Sequence, residues 1–276
     1  MRQPDFLDVK HPEKYNLLVR ITPDKFIFCI YEPGIAENVS YQEIPLPMRT
    51  DELINLEDDI LDSVFLTLSY GLVNVIFVSR NYDLIPQYMI QQDKKEMLYN
   101  FTHFRPAKQI LYSPVSVQQI TTVYDTEEEL HQFLARNLYQ AEFHHHSNVI
   151  MQYLERKNKE LPPTAKMYLN FHDEFVDVFC YDKIQRLLHV LTFEGENQRN
   201  MIYHILNLWD KCGFDQYTDS LYILSGYGNP DLYVTSMLSE YVKNVGRIPV
   251  VNEFNGFRNL DFQTSLPLDV LIQSAQ

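Results

Sequence analysis

The chain is short of glycine, cysteine and positive charge, and each shortage excludes something. Only 8 glycines stand among 276 residues. None falls in a GxGxxG, GxxxxGK[ST] or GxSxG pattern, so no dinucleotide fingerprint, P-loop or nucleophile elbow can be read. HExxH is missing too, and no Ser-His-Asp set can be named. The three cysteines, Cys29, Cys180 and Cys212, form no CxxC pair, which argues against a zinc knuckle or a disulfide framework. Each is expected to pack as a small apolar side chain in a reducing compartment. Lys and Arg total 23 against 37 Asp and Glu, a net charge of -14. Such a chain repels a phosphate backbone and an anionic membrane surface. No window approaches the ~18 apolar residues of a membrane span, and the opening MRQPDFLDVKHPEKYN has no apolar signal core. The expectation is a cytoplasmic protein with no membrane span and no nucleic-acid partner.

What is present is aromatic and strand-forming. With 19 Tyr and 17 Phe, the sheet content should be substantial, because such side chains suit a pleated, half-buried surface. Strands are predicted at Tyr15–Ile21, Phe26–Tyr31 and Ser40–Leu46, separated by turn signals at Thr22-Pro23-Asp24 and Pro33-Gly34. Leu53, Leu56, Ile60, Leu61, Val64 and Leu68 then recur at helical steps, which predicts an amphipathic helix over Asp51–Tyr70 closed at Gly71. Val73–Ser79 is strand-like, and Lys94–Phe101 is predicted as a short helix. Strands follow at Gln109–Tyr112 and Gln119–Tyr124. A helix at Glu127–Leu138, a strand at Tyr139–His145 and a helix from Ser147 to Lys159 complete the first half. Leu161-Pro162-Pro163-Thr164 reads as a linker.

Beyond it come strands at Met167–Phe171, Phe175–Tyr181 and Arg186–Phe193, and a helix at Asn197–Lys211 ended by Gly213. A strand at Ser220–Leu224, a helix at Asp231–Lys243 and a strand at Ile248–Asn252 close the series. The second half thus reads β-β-β-α-β-α-β. The first half matches if residues from about 72 to 115 are an insertion between its first helix and its fourth strand, Gln119–Tyr124. An alternative register takes Val73–Val78 as the fourth strand. The insertion register is preferred because it assigns the later elements.

This duplicated order resembles the actin-like ATPase superfamily, a ribonuclease H-like α/β architecture. It is nearest to the bacterial cell-division and pilus-assembly actin homologues, and within them to an uncharacterised bacterial family with an actin-like ATPase fold. The resemblance implies a first lobe over 1–160 carrying the inserted subdomain, and a second lobe over 161–276. In active members nucleotide lies between the lobes, held by glycine-containing turns of the first hairpin in each. The corresponding turns here are Ile21-Thr22-Pro23-Asp24-Lys25 and Phe171-His172-Asp173-Glu174-Phe175, and neither contains glycine. Glycine lets backbone N–H groups approach phosphate oxygens, and Pro23 removes a donor outright.

The superfamily's adenosine turn follows the fourth strand of the second lobe. Ser225-Gly226-Tyr227-Gly228-Asn229-Pro230 occupies that place, as an adenosine site or as a turn in which Asn229 caps the next helix. Gly226 and Gly228, with Asp24 and Asp173, are therefore the candidate cofactor-binding residues; no catalytic or metal-binding residue is assigned. Two functions follow: a non-catalytic scaffold that binds a protein partner through about 72–115, or a divergent ATPase or small-molecule kinase using ATP or ADP with magnesium. Two polar clusters complete the inventory. In Glu142–Asn148, strand alternation would let His144 and His146 converge while His145 faced away. His172-Asp173-Glu174 reads either as a solvated turn or as an acid/base or cation-binding group.

Overall fold

Three sheets organise the chain in the computed structural model, which describes residues 2–35, 37–45, 57–58, 60–90, 95–103, 109–115, 118–172, 174–195, 197–225 and 232–249. These residues divide into two compact units, the first ending at Val149 and the second beginning at Ile150.

In the first unit β1 (Asn16–Ile21), β2 (Lys25–Tyr31) and β3 (Val39–Pro45) form an antiparallel meander. β4 (Leu72–Phe77) and β8 (Glu142–His145) extend it in parallel on the free edge of β1. The order is β3-β2-β1-β4-β8. All six residues of β1 are buried, as a strand with covered faces on both sides requires. Residues 57–58 and 60–62 are helical and lead into a 3-10 turn at Val64–Thr67. The rest of the helix predicted over Asp51–Tyr70 lies outside the described residues. Ile60, Phe65, Leu66 and Tyr70 pack with Leu17, Val19, Phe28 and Val75 in the main core.

A second, three-stranded sheet interrupts this unit between β4 and its last helix. β5 (Tyr82–Pro86), β6 (Gln109–Val115) and β7 (Ile120–Thr126) pair antiparallel in the order β5-β7-β6. The helix α1 (Lys95–Thr102) packs Tyr99 against Ile110 and Val123. Polar contacts fix it further: Tyr99 Oη donates to Asp125 Oδ1 at 2.7 Å, and His103 Nε2 lies 3.3 Å from Asp83 Oδ2. The chain returns through α2 (Glu128–Asn137), which buries Leu130, Phe133 and Leu134 against the main sheet.

This arrangement corrects the expected register. Leu72–Phe77 is the fourth strand of the main sheet, and Gln119–Tyr124 belongs to the inserted one. The insertion follows the fourth strand rather than preceding it. Pairing gives the reason. β4 aligns in parallel with β1 over its whole length, as a crossover strand joining the edge of a meander does, whereas β7 pairs antiparallel with β5 and β6.

The second unit repeats the plan without an insert. After α3 (His146–Glu160) carries the chain across, β9 (Lys166–Phe171), β10 (Phe175–Tyr181) and β11 (Leu187–Glu194) form the meander, and β12 (Ser220–Ser225) and β13 (Asn244–Pro249) add in parallel. The order β11-β10-β9-β12-β13 matches the first unit position for position. α4 (Gln198–Lys211), capped by Asn197, and α5 (Leu232–Ser239) cover one face through Met201, Ile205, Trp209, Val234 and Leu238. The last helix ends at Ser239, short of the predicted Lys243, and the last strand begins at Asn244 rather than Ile248, because Gly246 and Arg247 interrupt the apolar signal of β13. Among the described residues, no helix is long and apolar enough to cross a membrane.

Gly71 marks the entry to β4. Its N–H donates to the Tyr15 carbonyl at 2.9 Å, and a Cβ there would stand 2.6 Å from the Glu13 carbonyl oxygen. Gly71→Ala should therefore destabilise the first unit by roughly 1–3 kcal/mol through overpacking against backbone. Urea denaturation of the variant beside the parent chain measures this.

Candidate functional site

The first hairpin of each unit is where a glycine-containing phosphate turn would sit, so its donors decide what it can hold. In the β1–β2 turn the Thr22 N–H donates to the Lys25 carbonyl at 2.9 Å. The Lys25 N–H donates to Thr22 Oγ1 at 2.9 Å, and that hydroxyl donates to Asp24 Oδ1 at 2.7 Å. Pro23 has no N–H. Three of the four turn residues therefore offer no backbone donor outward, and the exposed Asp24 carboxylate accepts from its own turn. This is a closed Thr-Pro-Asp-Lys turn of the kind short polar side chains build, not a fan of convergent amides.

The β9–β10 turn is closed in the same way. The His172 N–H donates to the Phe175 carbonyl at 2.8 Å, and Gly195 donates to the Glu174 carbonyl at 2.7 Å. Register aligns Ile21 with Phe171 and Phe26 with Val176 in their respective hairpins. The counterpart of Asp24 is thus Glu174, and Asp173 corresponds to Pro23. Asp173, Gly226 and Gly228 lie outside the described residues.

Beneath this second turn lies a polar constellation. Asn170, Asp177 and Thr192 face one another across β9, β10 and β11. Asp177 is fully buried. Its Oδ1 accepts the Thr192 hydroxyl at 2.7 Å, and its Oδ2 lies 2.8 Å from His172 Nε2. Nε2 is also 2.8 Å from Asn170 Nδ2. The His172 ring stacks on Phe175, with centroids 4.1 Å apart and planes at 22°. Residues 170 and 172 share a face by strand alternation, so the imidazole folds back onto its own sheet. A buried carboxylate demands such partners, and a hydrogen bond accepted by a carboxylate is of the strong, charge-assisted kind. Asp177 was not singled out from sequence, although an aspartate inside the apolar run Phe175-Val-Asp-Val-Phe-Cys180 is a legible anomaly.

The histidine run of the first unit behaves differently from its strand expectation. β8 ends at His145 and His146 is already helical, so alternation does not bring His144 and His146 together. Instead the His145 and His146 rings are 4.3 Å apart. His145 is fully buried, with Nδ1 2.7 Å from Ser147 Oγ and its ring against Tyr82 and Tyr124. His144 Nε2 is 3.1 Å from Asn74 Oδ1 and 3.7 Å from Glu142 Oε2. Burial holds His144 below its ordinary 6.5, with Glu142 pulling the other way. Burial also lowers His131, whose ring packs on Phe143 at 4.6 Å.

Comparison with known proteins follows from this fold. The family described as "Protein of unknown function (DUF3822)" matches residues 4–245. A crystallised protein of Bacteroides thetaiotaomicron VPI-5482, described as having an actin-like ATPase fold and unknown function, aligns with 98% of this chain and 99% of its own at 21% identity and TM-score 0.79. The PilM-PilN type IV pilus biogenesis complex aligns with 86% of this chain and 88% of its own at 12% identity and TM-score 0.50. None of the curated proteins compared matches the sequence. At these identities the likeness is one of fold, and the fold is that of actin-like ATPases.

Two outcomes are expected. Asp177→Ala leaves Thr192 and His172 without their buried acceptor and should cost roughly 1–3 kcal/mol per lost partner. Asp24→Ala, at an exposed turn, should cost about 1 kcal/mol or less. Equilibrium unfolding of both variants checks the contrast. The pH dependence of the first unit follows from His131 and His144. Their folded values lie below the unfolded 6.5, so the unfolded chain binds protons first as pH falls. Stability is full above about 6.5 and declines as pH drops through that value toward the folded ones. His144→Gln should flatten part of this decline, read as denaturation midpoints at pH 7.5 and 5.5.

Proposed function

This chain belongs to the family described as "Protein of unknown function (DUF3822)", and on that premise we propose that it is a non-catalytic actin-like protein that binds a protein partner through its inserted subdomain. The observation that carries the reading is on α1. Met97 and Phe101 stand four residues apart, on one helix face, and are 63% and 90% exposed, while Tyr99 is buried in the insert's own core. Tyr88, in the turn after β5, is 85% exposed. Large apolar side chains held on a rigid, stapled subdomain suit a protein contact. The PilM-PilN complex is a precedent for an actin-fold protein joined to another protein.

The closed hairpins support the non-catalytic half of the proposal. Phosphate binding in this fold draws on backbone amides, and those of Thr22 and Lys25 already have internal partners. The net charge of -14 disfavours nucleic acid as the partner, in keeping with a cytoplasmic protein that acts on other proteins. The competing reading is a divergent ATPase or small-molecule kinase. It would place Gly226 and Gly228 at adenosine, and Asp24 and Asp173 near a magnesium-bound phosphate; its support is the fold itself, which does not specify function.

Thermal unfolding with and without millimolar ATP or ADP plus magnesium separates the two. A nucleotide at a hundred times its Kd would add ~2.7 kcal/mol; the proposal expects no shift, and a shift removed by Gly226→Trp would establish the competing reading. For the partner, affinity capture is compared between the parent chain and Met97→Asp/Phe101→Asp. The proposal expects a protein retained by the parent and lost from the variant, with melting temperature unchanged. Identical retention by both would overturn it.

A further inference from the structure

His172 makes one contact too many for an imidazole nitrogen. Its Nε2 lies 2.8 Å from Asp177 Oδ2 and 2.8 Å from Asn170 Nδ2. A ring nitrogen carries either one N–H or one lone pair. As a donor to Asp177 it has nothing with which to accept the Asn170 amide. As an acceptor from Asn170 it turns a lone pair toward the carboxylate. The sheet forces this meeting: Asn170 and Asp177 stand directly opposite across β9 and β10, and His172 shares the face of Asn170. Water has little access to relieve it. Asp177 is fully buried, Asn170 is 4% exposed, and the His172 side chain is 9% exposed.

We propose that Asn170, His172 and Asp177 form a binding site for one divalent first-row transition-metal ion of the manganese(II) type, held without nucleotide. An ion between the groups satisfies all three at once, because each then gives it a lone pair. The neutral ring, its proton on Nδ1, offers Nε2, and the carboxylate offers Oδ2. A half-turn about the Asn170 Cβ–Cγ bond exchanges Nδ2 for Oδ1 and sets the amide oxygen beside the ring. Ligand atoms ~2.1 Å from an ion stand ~3.0 Å apart at right angles and ~3.4 Å apart at the tetrahedral angle. The 2.8 Å spacings are closer to the right-angled, octahedral case. One imidazole with two oxygens is a donor set that such an ion accepts, with water completing its shell.

The ligands are oriented before any ion arrives. Thr192 donates to Asp177 Oδ1 at 2.7 Å, which leaves Oδ2 turned toward the ring. Stacking on Phe175, with centroids 4.1 Å apart, fixes the plane of His172. Supports of this kind set ligand geometry and raise affinity. His172 is the ligand nearest the hairpin and the most exposed of the three, so exchange of the ion runs past the turn. The first unit supplies an internal control. Its positions equivalent to Asn170, His172 and Asp177 are Arg20, Thr22 and Ile27. A cation, a hydroxyl and a hydrocarbon make no such donor set.

The test uses the full, untagged chain, stripped with a chelator and titrated with manganese(II) chloride in the absence of nucleotide, with unbound ion read by electron paramagnetic resonance. The expected result is saturation at one ion per chain below millimolar manganese, with a rise in melting temperature. His172→Gln and Asp177→Asn should each weaken binding by ~100-fold or more, and Thr192→Val, which loses only the bond orienting Asp177, by roughly 10–100-fold. Asp24→Ala, in the other hairpin, should bind as the parent does. Circular dichroism of the metal-free variants establishes that they fold; should Asp177→Asn not fold, His172→Gln decides. Cobalt(II) in place of manganese should give the weak visible absorption of octahedral coordination. No saturable binding by the parent at millimolar manganese, parental affinity in folded His172→Gln, loss of binding in Asp24→Ala, or an intense tetrahedral cobalt spectrum would overturn the proposal.

Discussion

Both units are built around one constraint: their first strand is buried on both faces and paired on both edges. β1 lies between β2 and β4, and β9 between β10 and β12. A strand so placed needs an antiparallel neighbour on one side, supplied cheaply by a short turn. On the other side it needs a parallel neighbour, which only a crossover can deliver. From this come the meander, the helical connection and the order shared by the two sheets. The apolar runs of β1, β2 and β10 follow as well, since every residue facing either layer must be apolar or fully hydrogen-bonded.

Asp177 shows what that constraint does to a charged residue. Its strand is buried along its whole length, so a carboxylate there must gather partners from its neighbours. It does so from the adjacent strands, through Thr192, and from the hairpin above, through His172. The position of His172 at the turn thus becomes an element of sheet structure. In the first unit the equivalent of Asp177 is Ile27, which needs no such partners, and there the turn is closed by Thr22 alone. The two hairpins, alike in backbone, are therefore held by different chemistry.

The insert follows a different logic. It has its own small core around Tyr99, Ile110 and Val123, and it attaches to β8 where Ser113 Oγ donates to the Phe143 carbonyl at 3.3 Å and to α3 where Asn148 Nδ2 donates to the Pro114 carbonyl at 3.1 Å. A core of that size cannot cover all the apolar side chains of α1, and the helix presents Met97 and Phe101 outward while it buries Tyr99. The anchoring contacts keep this surface in one orientation, which lowers the ordering cost of any contact made through it.

Local chemistry was sufficient for most elements. The turns at Thr22-Pro23-Asp24 and Gly213, the cap at Asn197 and the helical steps of Ile202, Ile205 and Trp209 each act within a few residues, so strands and helices could be read from them, and their repeated order was enough to identify the fold class. β5 was missed because Tyr82–Pro86 mixes polar and apolar residues and ends in proline, leaving no clear period. Which of two candidate strands joined the main sheet was not readable either: Val73–Phe77 and Gln119–Tyr124 have similar strand character, and only pairing along the edge of β1 separates them. The same holds for the site residues. The sequence by itself determined that the hairpins lack glycine and that an aspartate interrupts β10. Tertiary structure alone decided that His172, Thr192 and Asp177 meet and that His146 leaves the strand, because those contacts join residues that are distant along the chain or depend on where a strand stops.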